Sequence, residues 1–185
     1  MVSTALCDFH IESHRPMQHI SLAAMQCPIA LGLDRVGEWW SILILRDAFH
    51  GITRFGQFQN SLGVAPNILS RRLAALVRSG LLERRRYCDR PARHEYVLTE
   101  LGRDFRPVLW ALLAWGNRHF APEGESVLLV DRATGRRADP IMVDGNSGKR
   151  LVEAAFCSIA GPAADAATRR RYAARPGIAD LRRQP

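Results

Sequence analysis

The chain has 185 residues, 26 basic against 18 acidic, and a net charge of +8, with 47% hydrophobic residues. That length suits one domain with appendages, and the composition permits a packed core. Cys7, Cys27, Cys88 and Cys157 lie far apart with no CxxC, which argues against a disulfide scaffold or zinc finger and fits a reducing, cytoplasmic setting. No apolar run approaches membrane-spanning length, and the N-terminus lacks a basic-then-apolar signal pattern, so no membrane partner is expected.

Residues 1–24 show no clear periodicity and read as a flexible arm, with Met17 and Met25 as candidate translation starts. Cys7, His10, His14 and His19 sit in that arm, where nothing fixes metal geometry, so neither metal nor cofactor is expected. Pro28 suits a helix start, and IALGLDRVG suits a short amphipathic helix. WWSILILRDAFHG, closed by Gly51, is apolar over about three turns, which predicts a helix buried on most sides. After ITR, the helical spacing of Phe55, Phe58 and Leu62 predicts another helix, ended by Gly63.

The stretch NILSRRLAALVRSGLLERRRY at 67–87 carries six arginines. Pro66 suits the first turn of a helix and Gly80 its end. At 100° per residue, Leu73, Leu76 and Val77 fall within about 80° of Leu69. Asn67, Arg71, Ala74 and Arg78 cluster in the opposite direction, and Ala74 and Ala75 keep the outer side slim enough to approach a deep groove. Between Arg54 and Arg93 nine arginines meet only Glu83 and Asp89, a local +7. Lys149 is the only lysine, and arginine favours planar, bidentate contacts with phosphate or carboxylate.

LLERRRYC and RHEYVLT have the composition of two strands, and DRPA between them reads as a turn, making an arginine-rich hairpin with Arg90 and Arg93 near its tip. Thr99 can cap a long helix over 100–120, which Pro107 should bend or break. Leu101, Phe105, Val108, Leu109 and Leu112 form one apolar stripe, while Trp110, Leu113, Ala114 and Trp115 add apolar surface outside it. One core cannot cover both faces, so a partner surface is expected. Residues 122–160 read as a small β-meander with turns at RATG and DGNSG, and 161–185 as a mobile basic tail with a short helix around 163–174.

The fold class expected is α+β, mainly α: a winged helix-turn-helix over 25–121, its long C-terminal helix serving dimerisation, followed by the β-meander. In such a fold the helix before the hairpin enters the major groove and the wing reaches along the backbone or into the minor groove of double-stranded DNA. Asn67, Ser70, Arg71 and Arg78 are then candidate readers, since Asn pairs with adenine and Arg with guanine. Contacts to phosphate alone are the alternative for all four. Thr53 and Arg54 precede a helix start, where N–H groups attract phosphate, though Thr53 also suits an N-cap. Arg72 lies nearer the core side, as a backbone clamp or an internal ion-pair partner. A protein-interaction winged helix that binds no specific DNA is the competing reading.

The run CPIALGLDRVGEWWSILILRDAFHGITRFGQF resembles the opening of the HxlR-type winged helix regulators, relatives of the MarR type. LSRRLAALVRSGLLERRRY, EYVLTELGR and PVLWALLAWG extend that resemblance over about Cys27 to Phe120. It implies a cytoplasmic bacterial homodimer on palindromic operator DNA, paired through the first and last helices of the domain. Some longer members of that type carry a C-terminal hairpin module with cysteines in its turns, like a zinc ribbon. RATG and DGNSG hold neither Cys nor His, so this module is expected to be metal-free and held by its apolar residues alone.

Cys27 occupies the CP position of that resemblance, where some members sense oxidants or electrophiles, and a helix N-terminus favours thiolate chemistry. A small buried residue beside the dimer helix is the alternative. Trp39, Trp40, Trp110 and Trp115 are candidates to line a small-molecule effector pocket or the dimer core. No nucleophile–base pair, Gly-rich phosphate loop or paired carboxylates stand out, so no enzymatic activity is expected.

Overall fold

Proline and glycine set the helix boundaries along the first half of the chain. The structure, a computed structural model, describes residues 22, 25 and 27–173. Cys7, His10, His14, His19, nearly all of the expected arm and the tail beyond 173 lie outside the described residues. Pro28 opens α1 (Pro28–Val36), with Cys27 as its N-cap. α2 (Trp39–Phe49), α3 (Phe55–Leu62) and α4 (Pro66–Arg78) follow, and Pro66 again stands in a first turn. Between α3 and α4, Gly63 takes a left-handed conformation, φ 61° and ψ 22°, which a residue with a Cβ adopts only with strain. Val64 then turns inward at 4% exposure and closes the helix-turn-helix corner.

Leu69, Leu73 and Leu76 of α4 are fully buried, as their spacing predicts, and Val77 at the stripe's edge is half-buried. They meet Ile44 and Leu45 of α2, Phe58 of α3, and Leu81 and Leu82 beyond α4 in one core. Burying each such side chain contributes roughly 1.5–3 kcal/mol relative to leaving it in water. α2 departs from expectation: it buries Ser41, Ile44, Leu45 and Asp47, whereas Trp39 stays exposed and Ile42, Leu43 and Phe49 are half-buried. The domain has one core, and only one face of α2 reaches it.

β1 (Leu82–Asp89) and β2 (Ala92–Leu98) form the antiparallel wing, from Leu82 opposite Leu98 to Asp89 opposite Ala92. A register shift between Arg86 and Cys88 leaves Tyr87 without an opposing residue. The segment before α3 adds a short third edge: the Tyr96 N–H donates to the Thr53 carbonyl at 2.7 Å, and Arg54 bridges Glu95.

The closing helix is broken where Pro107 requires it, into α5 (Glu100–Arg103) and α6 (Arg106–Phe120). Thr99 caps α5: its hydroxyl accepts from the Gly102 N–H at 3.0 Å and donates to the Gly80 carbonyl at 2.6 Å. One side chain thus joins the end of the wing to the end of α4. α6 buries no residue fully, although Val108, Leu112 and Trp115 are apolar and about half exposed.

Beside a turn at 152–156, residues 122–160 fold as two bridged turns rather than as a β-meander. Each turn is closed by a single bridge, Val130 with Arg137 and Val143 with Arg150. The turns repeat at a spacing of 13 residues, Asp131-x-x-Thr134-Gly135 and Asp144-x-x-Ser147-Gly148. In the first, the Thr134 hydroxyl and N–H each donate to Asp131 Oδ1 at 2.8 Å; in the second, Ser147 donates in the same way to Asp144 Oδ2. The Thr134 and Ser147 hydrogen bonds hold both carboxyls below the usual aspartate range. Apolar residues alone therefore do not hold this segment, since Val127, Leu128, Ile141 and Met142 remain about half exposed or more. A stretch this short buries too small a fraction of its surface for a core of its own. Within the basic tail, α7 (Ala166–Ala173) is the expected short helix.

A Cβ added at Gly102 would collide with the Leu81 carbonyl oxygen, an unyielding backbone atom. Gly102→Ala is therefore expected to destabilise the fold by about 1–3 kcal/mol or more, read as a lowered urea midpoint.

Candidate nucleic-acid interface

The leucine stripe of α4 fixes what its other face carries. Asn67, Ser70, Arg71, Ala74 and Arg78 are all exposed. Arg71 and Arg78 have neither an ion-pair partner nor a hydrogen-bonded acceptor among the described residues. Two guanidiniums two turns apart thus stand in water with their N–H forks unused. Asn67 differs, because its Oδ1 accepts the Ile68 N–H at 2.8 Å. Bidentate pairing with a base would require that side chain to release its own helix start.

Arg72 is not part of this surface. It is 6% exposed, and its guanidinium pairs with Glu38 at the N-cap of α2 and lies close to Gly37. Its place about 60° from Leu69 on the helix explains this. Of its two readings, the internal partner is the one the fold adopts.

The wing arginines divide in the same way. Arg85 pairs with Glu83 at 2.9 Å, Arg86 with Asp89 at 3.1 Å, and Arg84 lies 3.0 Å from His94 Nδ1 across the hairpin. The Arg85 hydrogen bond holds the Glu83 carboxyl below its ordinary range. Arg90 and Arg93, near the tip, are exposed and lack an ion-pair partner among the described residues. Arg54 lies over the Tyr87 ring, 4.7 Å from its centroid, which ties the start of α3 to the wing. Sequence reading missed Tyr87 because its role depends on the strand irregularity. It also missed Gln57, whose Oε1 accepts from the Arg54 N–H at 3.0 Å and the Thr53 N–H at 3.4 Å. Thr53 is accordingly not the N-cap of α3; Arg54 holds that position.

The four tryptophans do not converge. Trp40 packs against the core, Trp39 is 72% exposed, and Trp115 meets the Phe120 ring edge-on at 4.9 Å. Trp110, and none of the other three, lines a cavity of about 910 Å³ between α2, α6 and residues 127–132. Cys27 is half-buried at the N-cap of α1.

Three helices, a turn, a fourth helix, a bridged hairpin and a closing helix, with guanidiniums on the exposed face of the fourth helix and at the hairpin tip, define a winged helix-turn-helix protein. Residues 35–124 match the HxlR-like helix-turn-helix family, and the chain belongs to it, a family of transcriptional regulators. An uncharacterised helix-turn-helix-type transcriptional regulator of Mycobacterium tuberculosis is 41% identical over 124 residues, covering 66% of this chain and 78% of that one. A solved structure of a candidate transcription factor from Pseudomonas aeruginosa is 53% identical, covering 78% of this chain and 99% of that one, with a TM-score of 0.58. A second crystal structure of a candidate transcription factor reaches a TM-score of 0.67 at 40% identity over 75% of this chain and 98% of that one.

Arg72→Ala should lower stability by about 1–3 kcal/mol, because Glu38 loses a charged partner and a buried space opens. Arg71→Ala should stay within about 0.5 kcal/mol of the parent, as exposed substitutions do. Paired urea denaturation curves check both.

Proposed function

We infer that this protein is a sequence-specific DNA-binding transcriptional regulator that works as a homodimer on a palindromic operator. The observation that carries the reading is the pair Arg71 and Arg78, exposed and unpartnered opposite the buried leucines of α4. Unused guanidinium forks on a slim helix face match base edges and phosphates in a major groove. Arg90 and Arg93 supply the wing's contact with the flanking backbone, and Arg54 with Thr53 a further phosphate contact beside α3. Ser70 and Asn67 stand at the flank and start of the reading helix and serve phosphates first, since positioning contacts outnumber base contacts.

Dimerisation follows from α6. Taking Leu109 as zero, Arg106, Leu113 and Trp110 lie about 40–100° to one side, facing α2 and residues 127–132. Leu112 lies at the border of that side and also lines the pocket beside Trp110, whereas Val108 and Trp115 lie about 100–120° to the other side and are about half exposed. α1 likewise exposes Ile29, Leu31 and Leu33. Two apolar helices without a cover suit an isologous contact with a second copy. In such a dimer Cys27, at the head of α1, is placed to report thiol modification to the interface.

Arg71→Ala and Arg78→Ala are each expected to weaken binding to the DNA upstream of the protein's own gene by roughly 1–3 kcal/mol if they read bases. If they meet phosphate instead, each substitution should flatten the log-affinity against log-salt slope by about one. Unchanged affinity in both variants removes α4 as the reading helix. Protein capture without any DNA shift by the parent favours the protein-interaction reading instead.

Val108→Asp should convert the dimer to monomer in sedimentation velocity with its helical circular dichroism retained, because Val108 is 51% exposed within one chain. A dimer that persists places the interface elsewhere.

A further inference from the structure

The half-open pocket beside Trp110 is a feature of the described residues that DNA binding leaves unused. Its volume of about 910 Å³ falls within the roughly 300–1,000 Å³ typical of small-molecule sites. Leu43 and Phe49 of α2, Leu109, Trp110 and Leu113 of α6, and Leu129 form its apolar wall. Residues 127–132 lie beyond the family match, which ends at 124, so this wall is an addition to the shared helix-turn-helix core.

The charged lining has a basic excess, with Arg46, Arg106 and Arg132 against Asp131 and with His50 beside them. Arg46 is committed to Asp47 at 2.7 Å. Arg106 and Arg132 have no ion-pair partner or hydrogen-bonded acceptor among the described residues. Arg106 is held in place by rings, its guanidinium 4.5 Å from the Phe49 centroid and 5.9 Å from that of Trp110. Asp131, the carboxylate on the lining, accepts at Oδ1 from the Ala133 N–H and from the Thr134 N–H and hydroxyl of its own turn. A half-open apolar pocket of this size with two available guanidiniums is complementary to an anion with a hydrophobic body.

We propose that this cavity binds an aromatic carboxylate, its ring system against Phe49 and Trp110 and its carboxylate on Arg106, with Arg132 at the rim. The site deepens the regulator reading and rests on it for its consequence. Phe49, which lines the cavity, ends α2, and residues 51–54 run from there to the wing edge at Thr53 and Arg54. Occupancy therefore acts on the segment that joins the cavity to the wing.

Calorimetric titration of the full chain tests the site without DNA, so its failure leaves the DNA reading standing, and a failed DNA shift leaves the site standing. The probes are 2-naphthoate and its neutral analogue 2-naphthalenemethanol. The parent should bind 2-naphthoate saturably, with the alcohol about tenfold or more weaker. Arg106→Gln should bring the two probes together, and Ala138→Trp, which fills the chamber from its outer wall, should abolish both heats. No saturable heat with naphthoate, equal binding of both probes by the parent, or naphthoate binding undiminished in Ala138→Trp each overturn the proposal. Dissociation of a dimer by Ala138→Trp in a parent that gives no naphthoate heat would show a second copy of the chain filling the space.

Discussion

The seating of α4 in the core is the constraint on which the rest depends. Leu69, Leu73 and Leu76 are fully buried. Turning the helix by one residue would carry leucine toward water and bring Ser70 or an arginine toward Phe58 and Ile44. Burying an unpaired guanidinium costs far more than burying a leucine contributes. The leucines therefore determine the direction of Arg71 and Arg78 without any contact of the arginines' own. Arg72 shows the same rule from the other side: it is the α4 arginine turned inward, and Glu38 meets it there.

α6 is the second element whose two sides carry different tasks. One side closes the cavity with α2 and residues 127–132, and Asn117 anchors that segment by donating to the Val127 carbonyl at 2.9 Å. The other side exposes Val108 and Trp115. A helix with no fully buried residue and this much apolar surface has its stability distributed among neighbours and, in our reading, a second copy. That arrangement places the proposed effector site, the proposed dimer surface and the wing base within reach of a single helix pair, α2 and α6.

The paired turns at 131–135 and 144–148 are held by local hydrogen bonding. An aspartate accepts from a Thr or Ser hydroxyl and backbone three residues on, and a glycine completes each turn. Such turns fix a loop at small cost because the acceptor and donors are neighbours in sequence. The 13-residue repeat was present in the letters, but its hydrophobic alternation resembles that of strands, and the strand reading obscured it.

Helix boundaries, the inward stripe of α4, the hairpin and the break at Pro107 were legible in the sequence because each has a local cause: glycine or proline at an end, a period of 3.6 or 2, a capping threonine. The arginine-rich segment was equally plain as composition. Which of its arginines remain available was settled by neighbours two or three residues away for Arg85 and Arg86, and by contacts across the fold for Arg84, Arg72 and Arg54. Glu83, Asp89 and His94 engage three wing guanidiniums, Glu38 engages Arg72, and Tyr87 lies under Arg54 only because the strand register shifts beside it. The separation of Trp110 from the other tryptophans has the same origin. Periodicity records which side of an element is apolar; what that side meets depends on contacts between residues far apart in the chain.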